Sequence, residues 1–318
     1  MGLARSDGPA SSQDGARVTT KTSSLLIALA SLALAAPAVA NAGSSSDREV
    51  PRSNTFGGDC VKCELSGRRL HGAHFMNANF SGAILVGSDL REARFITSKF
   101  VEADLTRADL SDSQIISVNF SGANLSHARL RSSQAVGSIF SDANLSGADL
   151  SDASAQGADF TQAQLIGTIF RSTDMTAANL TRVIARNADF RDATLRAVQL
   201  NGGHFEKATF RSAELDTANL SGGNFDGADF HDAEMHHALI FGVDLSHVRG
   251  LSQDQIDDAC GDTHTRLPRG LTVRVCSGNI QTIIRQSIGR RANPAIPAPP
   301  APPSRPSPNR YLVAPSGE

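Results

Sequence analysis

The sequence predicts an all-β chain wound as a four-sided parallel coil, and three observations carry that prediction. From Leu65 to Leu245 every residue whose number divides by five is apolar. Two positions earlier stands a small residue, usually alanine, as at Ala73, Ala78, Ala83, Ala93, Ala103 and Ala108. In the first half the apolar centres run Leu, Leu, Phe, Phe and then repeat, so four pentads make one cycle of twenty residues. Self-similarity at a fixed period decides architecture before local propensity does.

A five-residue beat excludes the ordinary elements. On a helix of 3.6 residues per turn it would walk around the surface and leave no stripe. On a straight strand of period two, successive beats would land on opposite faces. The chain must therefore turn once per pentad. In Ala143-Asn144-Leu145-Ser146-Gly147, the Ala and Leu are two apart and point inward together, while Asn144 points out. Ser146 and Gly147 supply the turn. Four such sides close one coil, and residues twenty apart then stack. Leu65, Leu85, Leu105, Leu125, Leu145 and Leu165 form one column, and Phe80, Phe100, Phe120, Phe140 and Phe160 another. At strand spacing of about 4.8 Å, about nine such turns give a rod roughly 43 Å long.

The repeated triplets Ala103-Asp104-Leu105, Ala108-Asp109-Leu110, Ala148-Asp149-Leu150, Ala178-Asn179-Leu180 and Ala218-Asn219-Leu220 resemble the pentapeptide-repeat family, over about three-fifths of the chain. That resemblance implies a right-handed quadrilateral parallel β-helix, a pentapeptide-repeat solenoid. It agrees with the four-pentad cycle read from the centres.

The pattern changes sides near residue 165. The later phenylalanines, Phe170, Phe190, Phe210 and Phe230 with Phe205 and Phe225, take the other two columns. Leu180, Leu195, Leu200, Leu215 and Leu220 fill the vacated ones, and Ala135, Ala155 and Ala185 replace large centres around the switch. Volume compensation is the expected reading, because core volume tends to be conserved. An underpacked waist of lower stability is the alternative.

The flanks divide into four segments. Residues 1–42 read as an export signal: Arg17 and Lys21 precede the apolar run Leu25 to Leu34, Pro37 breaks it, and Ala38-Val39-Ala40 and Ala40-Asn41-Ala42 are small-residue cleavage patterns. The run is too short and Ala-rich for a stable membrane span once the signal is removed. Residues 43–58 are a polar linker before the 59–250 array. Residues 251–276 form a C-terminal cap, with a short helix over 251–261 expected from the Ser252/Gln255 capping box and the Gly261 stop. The stretch Ala259-Cys260-Gly261-Asp262, Thr265, Leu267-Pro268 and Gly270-Leu271 resembles the closing segment of bacterial members of the family. Residues 277–318 are Pro-rich and are expected to be disordered or extended polyproline.

Four cysteines in an exported chain favour disulfides. Cys260 and Cys276 flank the cap, and closing a loop of that length adds about 3 kcal/mol. Cys60 and Cys63 fall on inward positions of the first coil. A redox or zinc role there lacks a βαβ context and needs further ligands, for which only His71 and His74 are near. A structural reading is preferred, with connectivity left open. His231, Asp232, Glu234, His236 and His237 are the densest potential ligand cluster, but the beat turns them all outward around a corner, which reads as a solvated surface.

Two outer columns stand out. His71, Arg91, Ser111, Arg131, Ser151, Arg171, Arg191, Arg211 and His231 run down one side, with Glu92, Asp112, Asp152, Asp192 and Asp232 one residue on. That is a mixed charge ladder rather than a basic stripe. Met76, Ile96, Ile116 and Val136 form an outward apolar strip across four coils, a candidate protein interface.

These readings bound the function. No nucleophile–base set, phosphate loop or paired-carboxylate pocket appears, so no catalytic residue, cofactor or metal is assigned and the chain is not read as an enzyme. A net charge of −2, no Trp and one Tyr give no sign of nucleic-acid binding. The expectation is an exported rod, periplasmic or secreted, acting as a structural or protein-interaction module for an unidentified protein partner, with homodimerisation left open. The alternative is a DNA-mimicking topoisomerase-binding protein, as the quinolone-resistance members of the family are. The array is only mildly acidic for that role, with 22 acids against 17 bases over 60–249.

Overall fold

The computed structural model describes residues 58–276. The expected export signal, all but the last residue of the linker, and the Pro-rich tail lie outside them. The described chain is a parallel β-solenoid. Position i pairs with position i+20 along four ladders that run through the array. We number the ladders by their residues. Ladder one runs 74, 94, 114 and on to 234; ladder two runs 59, 79, 99 to 239; ladder three runs 64, 84 to 244; ladder four runs 69, 89 to 249.

One pentad shows why the beat is five. Leu145 N–H donates to Gln164 C=O (2.8 Å) and Gly147 N–H to Ile166 C=O (2.9 Å), both in the next coil. Asp149 N–H donates to Ala128 C=O in the previous coil (3.0 Å), and Ala148 N–H closes the corner onto Leu145 C=O (2.9 Å). The fifth donor, Ser146 N–H, has no backbone acceptor and is taken by the Asn144 side chain at 3.0 Å. Every donor is thus satisfied, as a closely stacked backbone requires. The same device recurs at Asp104–Thr106, Asp159–Thr161 and Asn179–Thr181. At the first two the Thr hydroxyl donates to the same oxygen. The Asp or Asn of each repeat is therefore an Asx turn cap.

The second corner residue takes positive φ from Lys62 to Gly242. At Gly147 a Cβ would lie 2.6 Å from Nδ1 of the exposed His127 side chain one coil away, so a larger residue there would have to displace that ring.

Inside, the columns stack as the sequence implies. Rings twenty apart lie 4.8–5.1 Å centroid to centroid, from Phe100–Phe120–Phe140–Phe160 to Phe170–Phe190–Phe210–Phe230. The change of sides is bridged by one edge-to-face contact, Phe160 to Phe170 at 6.0 Å and 86°. Ala135, Ala155 and Ala185 are wholly buried. Val183 and Val198 in the coil of Ala185 make up volume at small positions. Ala155 instead lies between Ala153 and Ala158, so compensation is uneven along the stack.

Three short strands interrupt the bridge pattern: β1 (His74–Met76), β2 (Arg94–Ile96) and β3 (Gln114–Ile116), paired parallel in register. At the corners leaving β1 and β3 a buried hydroxyl from the next coil replaces the usual backbone closure. Ser98 Oγ accepts from Ala78 N–H (3.2 Å), and Ser138 Oγ accepts from Val118 N–H (3.2 Å) while donating to Ile115 C=O (2.6 Å).

At the C-terminal end the expected 251–261 helix is reduced to one turn, α1 (Gln253–Ile256). The reason is that the chain must rejoin the ladders: Cys260 pairs with Leu239 and Arg266 with Asp244. Gln255 accepts from Ser252 N–H (2.7 Å) and donates to the corner carbonyls of Phe230 and Ala233 (2.8 Å each). Ile256 is fully buried on the last coil. β4 (Cys260–Gly261) then carries a final parallel layer, β5 (Arg274–Val275). This covers the edge that an open end would expose.

Because each phenylalanine touches rings above and below, Phe120→Ala is expected to cost about 3–5 kcal/mol in equilibrium denaturation. A loss below about 1 kcal/mol would show that the stacked column is not what holds the coils together.

Candidate protein-contact surfaces

With the interior filled, the chemistry lies on the ladders and corners. The apolar strip falls where the chain is most strand-like. Met76, Ile96 and Ile116 are the last residues of β1, β2 and β3. Met76 is 42% exposed, while Ile96, Ile116 and Val136 are half-buried. Ile139, 38% exposed, extends the strip onto ladder two. Sequence reasoning missed it, although an Ile at a position usually held by Asp or Asn was a readable signal.

Ladder four carries the charges, and its partners differ from those expected. The arginines pair chiefly with the aspartates of the ladder itself, not with the acids one residue on. Arg91 grips Asp89 with two bonds of 2.8 Å. Asp189 receives Arg171 Nε at 2.6 Å from the coil before, and Arg191 of its own coil at 2.7–2.9 Å. Arg211 and His231 converge on Asp229 at 3.4 and 2.5 Å. The expected partners appear only as Asp152, 4.0 Å from Arg131, and Glu92, 3.6 Å from His71. The ladder aspartate is the closer acid because it projects from the side of the coil beside the arginine's corner. The hydrogen bond from Arg91 holds Asp89 below the ordinary carboxylate range. Burial pushes Asp189 up, but hydrogen bonds from Arg191 and Arg171 outweigh it and the net shift is down.

The histidine cluster does not converge. His231 turns to Asp229, and His236 to Asp258 at 3.7 Å. Asp232, Glu234 and His237 are exposed. Among the described residues no group of three or more His, Cys, Asp or Glu is disposed to hold a metal ion, and no helix is long and apolar enough to cross a membrane. The cysteines pair as Cys60–Cys63, across the first corner, and Cys260–Cys276, which ties β4 to the end of β5. All four are half-buried.

The family model for pentapeptide repeats matches in eight copies between residues 59 and 246. The chain belongs to the pentapeptide-repeat family. Solved structures of other pentapeptide-repeat proteins are similar at low identity. HetL, involved in heterocyst differentiation regulation in the cyanobacterium Nostoc sp. strain PCC 7120, is 24% identical over 58% of this chain and 90% of its own, with a TM-score of 0.29. QnrB1, a plasmid-mediated fluoroquinolone resistance protein, is 19% identical over 74% of this chain and all of its own, with a TM-score of 0.24. A pentapeptide repeat protein of the Arabidopsis thaliana thylakoid lumen is 26% identical over 40% of this chain and 68% of its own, with a TM-score of 0.17. Scores this low carry no functional argument. No curated protein matches the chain.

The depressed aspartates set a pH dependence. A carboxylate whose folded pKa lies below its unfolded value contributes stability above the unfolded value, about 3.9. That contribution is lost as pH falls through the folded value. Stability is therefore expected to drop as pH falls below about 4. Asp189→Asn should flatten that drop. An unchanged acid limb in the variant would remove the Arg171–Asp189–Arg191 cluster from the account.

Proposed function

We propose that this chain is an exported, non-catalytic pentapeptide-repeat module that works by protein contact, with Met76, Ile96, Ile116 and Val136, extended by Ile139, as its contact strip. The observation that carries this reading is the pairing of a filled interior with an apolar outer strip. A core stacked at ring contact leaves no cleft for a substrate. Aligned apolar groups on the outside cost solubility unless something covers them. We read the coil as the right-handed quadrilateral β-helix of the family; twenty residues per turn with a corner every five support the four sides, and the handedness rests on the resemblance. Export is supported by the apolar run and cleavage patterns in residues 1–42 and by four cysteines all in disulfides.

The topoisomerase-binding alternative needs a run of unpaired acids to imitate a phosphate backbone. The acids of ladder four at 89, 149, 189 and 229 are instead bound by arginine. QnrB1 carries the fluoroquinolone-resistance description, and its likeness to this chain is too slight to transfer it.

Fractionation of a bacterial host expressing the tagged full chain, with N-terminal sequencing, tests export. Cleavage after Ala40 or Ala42 and an extracytoplasmic pool are expected. An uncleaved cytoplasmic protein would reverse the reading and make gyrase inhibition the next assay. For the strip, the Met76/Ile96/Ile116→Ser variant should lose self-association or partner capture while keeping its circular dichroism. Unchanged hydrodynamics and capture would rule the strip out as a contact surface.

A further inference from the structure

We propose that the strip's resident occupant is this chain's own C-terminal tail, residues 277–318, folded back along ladders one and two toward the N-terminal coils. The inference rests on the reading of the strip as a contact surface.

Four observations meet here. The first is the exit point. Ladder two continues without a break from Leu239 through Cys260 to Arg274. The chain therefore leaves the fold at Cys276 on the ladder that carries Ile139 and borders the corner of Met76, Ile96, Ile116 and Val136. The Cys260–Cys276 bond pins that exit. The second is reach. From Arg274 back to the level of Met76 is about ten ladder steps, about 48 Å at strand spacing. Residues 277–293 span about 56 Å when extended, so the segment that follows reaches the strip.

The third is charge, in matching order. Residues 277–293 carry Arg285, Arg290 and Arg291 and no acid. The surface they would cross, the C-terminal half of ladders one and two with the corner between them, carries Asp159, Asp174, Glu214, Asp216 and Glu234 against Arg196 and Arg274, with His236 and His237 at the last corner. Arg196 pairs with Glu214 and Asp216, and Asp159, Asp174 and Glu234 have no arginine bridge among the described residues. The basic stretch meets the acidic half first, and the apolar stretch then meets the apolar half. The fourth is spacing. Pro294, Pro297, Pro300, Pro303 and Pro306 recur every third residue. In polyproline II that places one proline face at a repeat of about 9.3 Å. Two coil steps measure about 9.6 Å, so the proline face advances almost in step with alternate coils. Proline brings little conformational entropy to lose, and tethering raises the local concentration of a weak ligand.

Met76 reports on occupancy without a label. It is exposed at the end of the strip, whereas Met175 and Met235 are buried. The experiment is peroxide oxidation of the full mature chain, read by peptide mass spectrometry at Met76. The reference is a full-length variant with Arg285/Arg290/Arg291→Glu and Pro297/Pro300/Pro303→Gly. The tail substitutions lie outside the array, so folding is not at stake. Met76 is expected to oxidise about threefold or more faster in the variant, with the difference independent of protein concentration as an intramolecular contact requires. Equal rates overturn the proposal, as does protection that grows with concentration, which would mean a second copy is the occupant. If rates are equal while Met76/Ile96/Ile116→Ser still abolishes association, the tail proposal fails and the contact-surface reading stands.

Discussion

The structure depends on one constraint: four of the five backbone N–H groups of a typical pentad find backbone acceptors only if the chain returns over itself after twenty residues. Two donate forward, one donates back and one closes the corner. Where the repeat carries an Asp or Asn, its side chain takes the fifth from two residues upstream, as Asn144 does for Ser146. The rest follows. Corners require residues that tolerate positive φ, inner positions must be small because backbones converge there, and the centre is mostly a wall of Leu and Phe stacked in columns. Most stabilisation is then between neighbouring coils, which makes the fold nearly one-dimensional.

That division leaves the outside free. Because ladders and core are held by backbone and inward side chains, outward residues can vary without disturbing them. On ladder four the freedom is used for arginine–aspartate bridging between coils, at Arg171–Asp189 and Arg211–Asp229. Exposed pairs of this kind contribute little each, and their clearer consequence is to neutralise a row of acids. On the corner of ladders one and two the freedom is used for apolar residues. One side of the stack is therefore self-satisfied and the other is not, which is why the contact reading attaches to Met76, Ile96 and Ile116 rather than to the charges.

The fold was legible because its rule is periodic. The Leu and Phe columns, the change of sides at Phe160–Phe170 and the outward turn of the histidines all follow from counting by five and twenty. What was not legible breaks the count or depends on direction. The cap adds one residue between Leu239 and Cys260 and two between Asp244 and Arg266, so its helix had to shrink to Gln253–Ile256 to let Cys260 and Arg266 rejoin the ladders. Gln255 reaching the Phe230 and Ala233 carbonyls depends on how the turn sits on the last coil, which no local pattern encodes. The arginine partners were misassigned because the two adjacent corner residues point apart, whereas the ladder aspartate two residues back lies beside the arginine, as Asp89 does for Arg91. Ile139 lies on ladder two, beside the corner of the strip, so the twenty-residue column through Met76 does not contain it.

The central claim is that twenty residues, not five, are the structural unit. Equilibrium unfolding of two deletions tests it most directly: one removing a full coil, 121–140, and one removing a single pentad, 121–125. Removing the coil keeps every ladder in register and sets Leu145 on Leu105, Leu150 on Leu110 and Phe160 on Phe120, so cooperative unfolding near the parent's stability is expected. Removing the pentad shifts every later residue by one side and sets Phe columns against Leu columns, with a loss of about 3 kcal/mol or more. If the two deletions proved equally stable, the twenty-residue unit would be wrong.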